Sequence, residues 1–347
     1  MSPRIPNWSR IAFFVLLPFA LYMVWDYVET RRIASRVNAI ERRKEPLIVQ
    51  EQWPTGPARE AERLYRAAAA LVVSPGERPV IERNQLSAAA ANDRWTPQTL
   101  ALVRTSVDAN REALDLVDRA AGLPFVGFLP GTSYNYLVSD LMMLRLALER
   151  RAALATHDGN GYAALSSFYS EARLARAIDS TRNSERLLIT PIPLFAGLSA
   201  AVAAAPRSNV LESLAGAFAD LDRDDRLRTS LLVSRASMFT MASLGPRRHA
   251  ANPVLGHMIV IQFDTYEQLL TAAEKPWPQR IDAVNAVDKW PDLILFRSSS
   301  RVLREFTKTV VDQVRRIRCA RLIVSTTPLD LIDPLTGKRL EMLNCHL

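Results

Sequence analysis

The stretch LALERRAALATHDGNGYAALSSFYSEARLARAI at positions 146–178 decides the fold class of this chain. On both sides of the turn THDGNG (156–161), apolar residues recur every three or four positions, as in a helix with one buried face. The two faces consist of Leu137, Leu141, Leu144, Leu148, Ala152 and Ala155 before the turn, and of Tyr162, Leu165, Phe168, Ala172 and Ala175 after it. Two such helices joined by a short polar turn predict an antiparallel helical hairpin.

Further helices are predicted on both sides of this hairpin. Prolines and capping residues mark their starts, and each contains apolar residues at helical spacing. The first predicted helix begins after Pro57, and the next runs from Thr96-Pro97 to Gly122. A second helical pair is predicted at 208–221 and 225–243. Another helix starts at Asp264, with Glu267 as its capping-box partner, and the last is a long helix at 292–321. Alternating strand patterns are nearly absent, so the predicted fold class is all-α, with stacked helical hairpins.

The C-terminal end has a different pattern. The segments LDLI (329–332) and KRLEM (338–342) flank the turn sequence DPLTG (333–337). Proline fixes φ at a turn and glycine supplies positive φ. We therefore predict a small C-terminal β-hairpin that packs on the last helix.

The most apolar segment lies near the N-terminus, at residues 11–28. Its first part, IAFFVLLPFALYMVW (11–25), contains no charged residue, and the whole segment approaches the ~20 residues that cross a bilayer. Trp8 and Trp25 lie at its two ends, where amphipathic rings prefer the membrane interface. The alternative is a cleaved signal peptide, but the small-residue site at 37–39 lies far beyond the apolar run. An uncleaved, single transmembrane helix is the prediction.

The anchor divides the chain into four predicted parts. These are a transmembrane anchor with a basic juxtamembrane segment at 1–44, a linker at 45–57, an α-helical domain at 58–321 and a β-hairpin segment at 322–347. Positive charge after the apolar run favours a cytoplasmic domain. A basic N-terminus followed by an apolar run favours export instead. The residues alone leave both orientations open.

Charge argues against a nucleic-acid partner. The formal net charge is +8 and the pI is about 9.8. The excess of bases is confined to residues 1–44, a membrane flank, and to the segment 297–321. Because the remainder is slightly acidic, the sequence lacks the general basic surface that nucleic-acid binding requires.

No motif for catalysis, cofactor binding or metal binding is found in the sequence. It contains no HExxH, G-x-S-x-G, Walker or Rossmann pattern. Its four histidines are scattered, and the aspartate run at 220–225 lacks the glycine and the glutamate that an EF-hand loop needs at its sixth and twelfth positions. We therefore assign no catalytic, cofactor-binding or metal-ligating residue. Acidic and basic groups from distant helices could still meet in the fold.

The two cysteines, Cys319 and Cys345, both lie near the C-terminus. In an exported domain they could form a disulfide between the last helix and the hairpin. The alternative is a pair of thiols, with Cys319 in the core and Cys345 near the C-terminal tail. Both alternatives remain open, because pairing depends on distances that the sequence does not give.

A basic face on the last helix is the strongest candidate for an interaction surface. Its residues follow helical spacing and are Arg297, Arg301, Arg304, Lys308, Arg315 and Arg318. Such a face can bind anionic headgroups or an acidic partner. The alternative is a core helix whose basic side is merely solvated.

The order of segments resembles that of a family of uncharacterised bacterial proteins with an N-terminal membrane anchor and a helical body. The matching segments are 146–178, 214–236, 265–284 and 333–343, the last with the closing Asp-Pro-x-x-Gly-x-x-Leu turn. The resemblance covers residues 1–345 and implies export, which places the helical domain in the periplasm.

The chain departs from the family pattern at two places. It has Ser234-Arg235-Ala236 where members carry Glu-Arg-Ala, and residues 319–328 lack the tyrosine-rich segment ending in Tyr-Pro. Neither motif carries a known role, so the resemblance implies no site residue.

The sequence thus predicts a single-pass protein of the bacterial inner membrane with a periplasmic helical domain. Its predicted function is a non-enzymatic interaction or scaffold module of the cell envelope, with a protein partner and no cofactor. One alternative is a membrane-tethered, hydrolase-like enzyme whose site lies between helices. Another is a peripheral protein that contacts lipid through basic residues.

Overall fold

The computed structural model describes residues 7–45, 56–73, 95–124, 134–180, 195, 197–222, 227–229, 231–232, 235–236, 253–287, 297–342 and 345, with backbone alone for 7–13, 15, 134–139, 179–180 and 297–307. Within these ranges the regular elements are all helices. They are α1 (Asn7–Arg42), α2 (Pro57–Leu71), α3 (Pro97–Ala109), α4 (Arg111–Ala121), α5 (Tyr134–His157), α6 (Gly161–Ser180), α7 (Leu198–Ala204), α8 (Val210–Leu221), α9 (Pro253–Ala273), α10 (Gln279–Ala286) and α11 (Arg297–Val324). The predicted all-α class is confirmed.

Helices α5 and α6 form the predicted antiparallel hairpin. The chain reverses at Gly159, whose φ of +75° is readily adopted by glycine. Helix α6 then begins at Gly161, which packs tightly on α7. A Cβ at this position would lie 2.8 Å from the Cβ of Ala204 and 2.9 Å from the carbonyl oxygen of Ala201. The turn therefore needs glycine for two reasons, backbone conformation at 159 and space at 161.

Three apolar clusters form the core, and three helices each contribute to two of them. The first cluster is built by α5–α8 and the end of α11, around Phe168, Phe195 and Phe218. The second is built by α2, α4, α5 and α6, around Tyr65 and Leu144. The third contains α9, α10, the middle of α11 and Ile40 of α1. Helices α5 and α6 thus belong to the first and second clusters, and α11 to the first and third.

The predicted helix from Thr96 to Gly122 is interrupted. Thr96 caps α3 as predicted, since its hydroxyl accepts a hydrogen bond from the Thr99 N–H at 3.1 Å. At the buried Asn110, however, α3 ends and α4 follows. The Asn110 side chain accepts from the N–H of Val73 at 2.8 Å and donates to the carbonyl of Ser106 at 2.9 Å. Because this amide pairs with backbone groups of another segment, the chain bends there although its apolar spacing continues.

A helix start predicted at Asp264 is wrong. Helix α9 begins at Pro253 and continues through Asp264 to Ala273. Proline suits the first turn of a helix, and the residues after it pack their apolar side chains into the third cluster. The Asp264 side chain pairs with Arg36 of α1 at 2.7 Å instead of capping a helix. The helical fragments described at 227–229, 231–232 and 235–236 fall in the predicted helix 225–243, whose remaining residues lie outside the described part.

The predicted C-terminal β-hairpin is not formed as strands. One antiparallel bridge joins Ile332 and Arg339, and Gly337 closes the turn with the predicted positive φ of +67°. Arg318 of α11 donates a hydrogen bond to the Ile332 carbonyl at 2.6 Å. Two backbone hydrogen bonds flank the bridge, from the Asp333 N–H to the Lys338 carbonyl at 2.8 Å and from the Leu340 N–H to the Leu331 carbonyl at 2.7 Å. Because the pairing stops at this single bridge, the described segment is a turn packed on α11 and not a two-stranded sheet.

No helix in the described ranges contains a stretch that is both long enough and apolar enough to cross a membrane. Helix α1 contains the predicted span at 11–28, but the side chains of residues 11–13 and 15 lie outside the described part. The transmembrane anchor therefore stays a prediction.

Candidate functional site

The structure describes the side chains of only part of the predicted basic face on α11. The side chains of Arg297, Arg301 and Arg304 lie outside the described part, and Lys308 is exposed. Arg315 and Arg318 instead turn toward the C-terminal segment.

Two aspartates pair with Arg315 and Arg318. Nε of Arg315 lies 3.6 Å from Asp333, and Nε of the buried Arg318 donates to Asp222 at 3.0 Å. Arg321 pairs with the same Asp222. Buried charges are normally paired, so Arg318 serves to hold the end of α8 and the C-terminal turn together. A docking role for residues 297–308 stays a prediction.

Cys319 and Cys345 are joined by a disulfide, with their Cα atoms 5.3 Å apart. Cys319 is buried on α11, on the same stretch of helix as Arg318. The bond therefore ties the C-terminal end of the chain to the helix that already holds the Ile332 carbonyl. Of the two alternatives left open by the sequence, the structure contains the bonded one.

A buried carboxylate lies where α1 and α9 meet. Glu29 is 2% exposed, and its Oε1 accepts from Nε1 of Trp25 at 3.1 Å and from Arg32 at 3.2 Å. Nδ1 of His257 lies 3.1 Å from the same oxygen. The backbone comes close because α9 has glycine at 256, where a Cβ would lie 3.1 Å from the Cβ of Glu29. The site therefore gathers a carboxylate, an indole, a guanidinium and an imidazole.

A second group of charges continues along the same interface. Arg235, 1% exposed, donates to Glu45 at 2.9 Å and to Glu267 at 2.7 Å, and Arg43 also pairs with Glu267 at 2.7 Å. Partial burial raises the pKa of Glu45, but the hydrogen bond and charge of Arg235, aided by Arg43, outweigh it and lower that pKa below its ordinary value. We call the contacts of residues 25–45 with α9 and with Arg228 and Arg235 the α1–α9 interface.

A different arrangement occurs inside the helical hairpin, at Glu149 of α5 and Glu171 of α6. Glu171 is fully buried, and neither of its oxygens accepts a hydrogen bond from any residue that the structure describes. Burial raises the pKa of Glu171 well above its ordinary value, and Glu149 raises it further, while Arg145 opposes the shift. We call Glu149 and Glu171 the hairpin carboxyl pair.

The hairpin carboxyl pair has the composition of an acid–base site. A protonated carboxyl beside a second carboxylate can donate a proton while its neighbour accepts one. Glu149 is the more accessible of the two, with 17% of its side chain exposed. In the described ranges no group of three or more His, Cys, Asp or Glu side chains could hold a metal ion.

Sequence reasoning missed both buried carboxylates. Glu171 falls at helical spacing between Phe168 and Ala175 of the predicted apolar face, and a charge in that position is a detectable signal for a buried acid. Glu29 follows the apolar run 11–28 directly, where it looks like an ordinary flanking charge. Its partner His257 is distant in sequence, and no spacing rule connects the two.

Comparison with known proteins gives no relative. No protein-family model matches the chain, and neither a curated protein nor a solved structure is similar to it. The resemblance to anchored bacterial helical proteins therefore stays a prediction, and any function must be argued from the geometry above.

Proposed function

We propose that this chain is a single-pass protein of the bacterial inner membrane whose helical domain acts outside the cytoplasm as a non-enzymatic interaction module. The observation that carries the proposal is the concentration of exposed apolar side chains on the first part of α1. Of the eighteen large apolar side chains that are exposed in the described part, eleven lie between Phe14 and Val28. Such a patch marks a membrane or an interaction site.

The second half of α1 supports the same function. Arg36 and Arg43 make ion pairs with Asp264 and Glu267 of α9, and Ile40 is buried in the third core cluster. One continuous helix thus joins the exposed apolar surface to the packed domain. A domain held in this way would keep one face toward the membrane and present the others to a partner protein.

The disulfide supports placing the domain in the periplasm. Disulfides persist in oxidising compartments and are rare in the bacterial cytoplasm. The Cys319–Cys345 bond is therefore the observation that favours export over the cytoplasmic orientation suggested by the basic residues of 1–44.

Membrane extraction tests the anchor. The wild-type chain should stay with membranes during alkaline carbonate extraction, and the double variant Leu17→Arg and Leu21→Arg should be released, because two charges in the hydrocarbon cost several kcal/mol. Tyr162→Arg, at an exposed site on α6, is the matched control and should stay bound. Release of the wild-type chain would contradict the anchor.

Thiol labelling tests the orientation. In intact cells, a membrane-impermeant maleimide should label Cys319 and Cys345 after reduction by a membrane-impermeant reductant, and not before it. Labelling without reductant, after lysis alone, would place the domain in the cytoplasm. In vivo photo-crosslinking from exposed helix positions should then yield defined adducts with envelope proteins, and their absence would contradict the interaction module.

The hairpin carboxyl pair favours a second candidate, a membrane-tethered hydrolase. If this candidate is correct, the purified full-length protein should hydrolyse members of an ester and peptide panel. Glu171→Gln and Glu149→Gln should each abolish that turnover without lowering the melting temperature. If turnover is absent, or persists in both variants, the candidate is wrong.

A further inference from the structure

Helices α1 and α9 run parallel with a defined register. Glu29 lies against Gly256 and His257, Arg36 pairs with Asp264, and Arg43 pairs with Glu267. The residue numbers of α1 and of α9 increase in the same order along the interface, so the two helices point in the same direction. Because a helix rises about 1.5 Å per residue, Val254 lies about 3 Å before Gly256, near the level of Tyr27.

This register places the start of α9 at the end of the apolar segment of α1. Helix α9 begins at Pro253, and the predicted span ends at Val28. Val254 is 46% exposed, and on α1 its neighbours in level, Tyr27 and Val28, are also exposed. An exposed apolar side chain of α9 therefore lies at the level where the apolar segment of α1 ends.

The chemistry at this level suits the boundary between hydrocarbon and headgroups. Trp25 and Tyr27 are amphipathic rings of the kind enriched at membrane interfaces. Arg31 and Arg32 follow directly and are exposed. Arg31 donates to the Tyr27 hydroxyl at 3.0 Å, so its charge is held beside the ring. Bases placed in this way attract anionic headgroups.

We propose that the first turn of α9 makes a second membrane contact through Val254, which lies in the headgroup boundary of the leaflet where the α1 span ends. The occupant is a bilayer that contains anionic lipid. This inference rests on the proposed anchor, because the register places Val254 relative to that span. It means that the domain touches the membrane through two helices and not through a single stalk.

Fluorophore labelling at three positions tests the contact. The full-length protein is prepared with Val254→Cys, Phe19→Cys or Tyr162→Cys, and each thiol is labelled with an environment-sensitive dye under non-reducing conditions, so that the native disulfide does not react. The proteins are reconstituted into vesicles of phosphatidylcholine and phosphatidylglycerol that contain spin-labelled lipid. Circular dichroism checks that each variant is folded.

The expected result is quenching at positions 254 and 19 that exceeds quenching at 162 by at least about twofold, with a shallow spin label most effective at 254. If position 254 behaves like 162 while 19 is quenched, the second contact is wrong and the anchor stands. If neither 19 nor 254 exceeds 162, or 254 alone does, the proposed anchor fails and the inference fails with it. A dye at 254 that is blue-shifted in vesicles but not quenched by spin-labelled lipid would lie against protein, and this result would overturn the proposal.

Discussion

The α1–α9 interface and the hairpin carboxyl pair both contain buried glutamates, but within the part of the chain that the structure describes only those of the interface accept hydrogen bonds from arginine. In the interface, Glu29, Glu45 and Glu267 each accept hydrogen bonds from arginine. In the hairpin, Glu171 is more deeply buried and has no donor among the described residues. The pKa of Glu45 is lowered, whereas that of Glu171 is raised.

The difference shows that burial and hydrogen-bond donors together decide the direction in which the pKa of a carboxyl group moves. Donors keep an interface carboxylate ionised, so that its charge links two helices. Without donors, burial raises the pKa of a carboxyl group, and ionising that group then costs stability at any pH where the unfolded chain would ionise. The interface therefore has the properties of a structural connection, and the hairpin pair those of a proton-bearing site.

Removal of the central arginine should give the largest effect. Arg235→Met leaves Glu45 and Glu267 without their most buried partner, and we expect a loss of about 3 kcal/mol in the free energy of unfolding. Urea titration of the detergent-solubilised protein measures it. Arg228→Met removes a more exposed arginine from the same group and should cost less than about 1 kcal/mol. Equal losses in the two variants would show that burial of Arg235 contributes nothing.

Glu171 should make stability fall as pH rises. Because its folded pKa is raised, the folded state retains a proton that the unfolded chain releases above its ordinary value of 4.5. Between that value and the raised pKa, this group should reduce stability by about 1.4 kcal/mol per pH unit.

Glu171→Gln should remove this slope, as seen in urea titrations at several pH values. Glu45→Gln is the control, because the contribution of Glu45 to stability should change with pH in the opposite direction. The lowered pKa of Glu45 gives stability that is present above its unfolded pKa and lost as pH falls through the folded one. If Glu171→Gln and the wild-type chain show parallel pH profiles, the buried carboxyl is ionised and the comparison fails.

Glu29→Gln should have a smaller effect. Glutamine keeps an oxygen for the Trp25 N–H but removes the charge that pairs with Arg32 and His257, and both of these partners are partly exposed. We expect a loss of about 1 kcal/mol, measured by the same titration. Glu60→Gln, at an exposed pair on α2, should leave stability unchanged. A gain in stability for Glu29→Gln would show that the Glu29 carboxylate destabilises the fold, as we expect for that of Glu171.

The smallest expected effect is the difference in stability between two glycine-to-alanine replacements. Gly216→Ala, in the open middle of α8, should stabilise the protein by about 1 kcal/mol because alanine favours helix. Gly256→Ala should not show this gain, since the new Cβ would lie 3.1 Å from the Cβ of Glu29. Thermal unfolding measures both. Equal gains would mean that α1 and α9 can move apart at no cost.

Much of the fold follows from local patterns in the sequence. The α5–α6 hairpin was predictable because apolar spacing and a glycine turn act over a few residues. The break at Asn110 was not, since its cause is the backbone of Val73 in another segment. The capping box at Asp264 was misleading because a tertiary ion pair with Arg36 uses the same side chain.

The candidate sites were less predictable than the fold. The basic spacing on α11 predicted an interaction face, but it could not show that Arg318 faces Asp222 and the Ile332 carbonyl. The contact of Glu29 with His257 joins residues far apart in the chain. Such sites depend on helix register, which sequence periodicity does not give.

Helices α6 and α11 each border two of the three apolar clusters, and this sharing has a consequence for how the molecule melts. A cluster cannot lose its packing while the helix that it shares stays in place, so the described helices should behave as one cooperative unit. In a calorimeter the chain should give a single heat-absorption peak, with equal van't Hoff and calorimetric enthalpies, although its core is built in three parts.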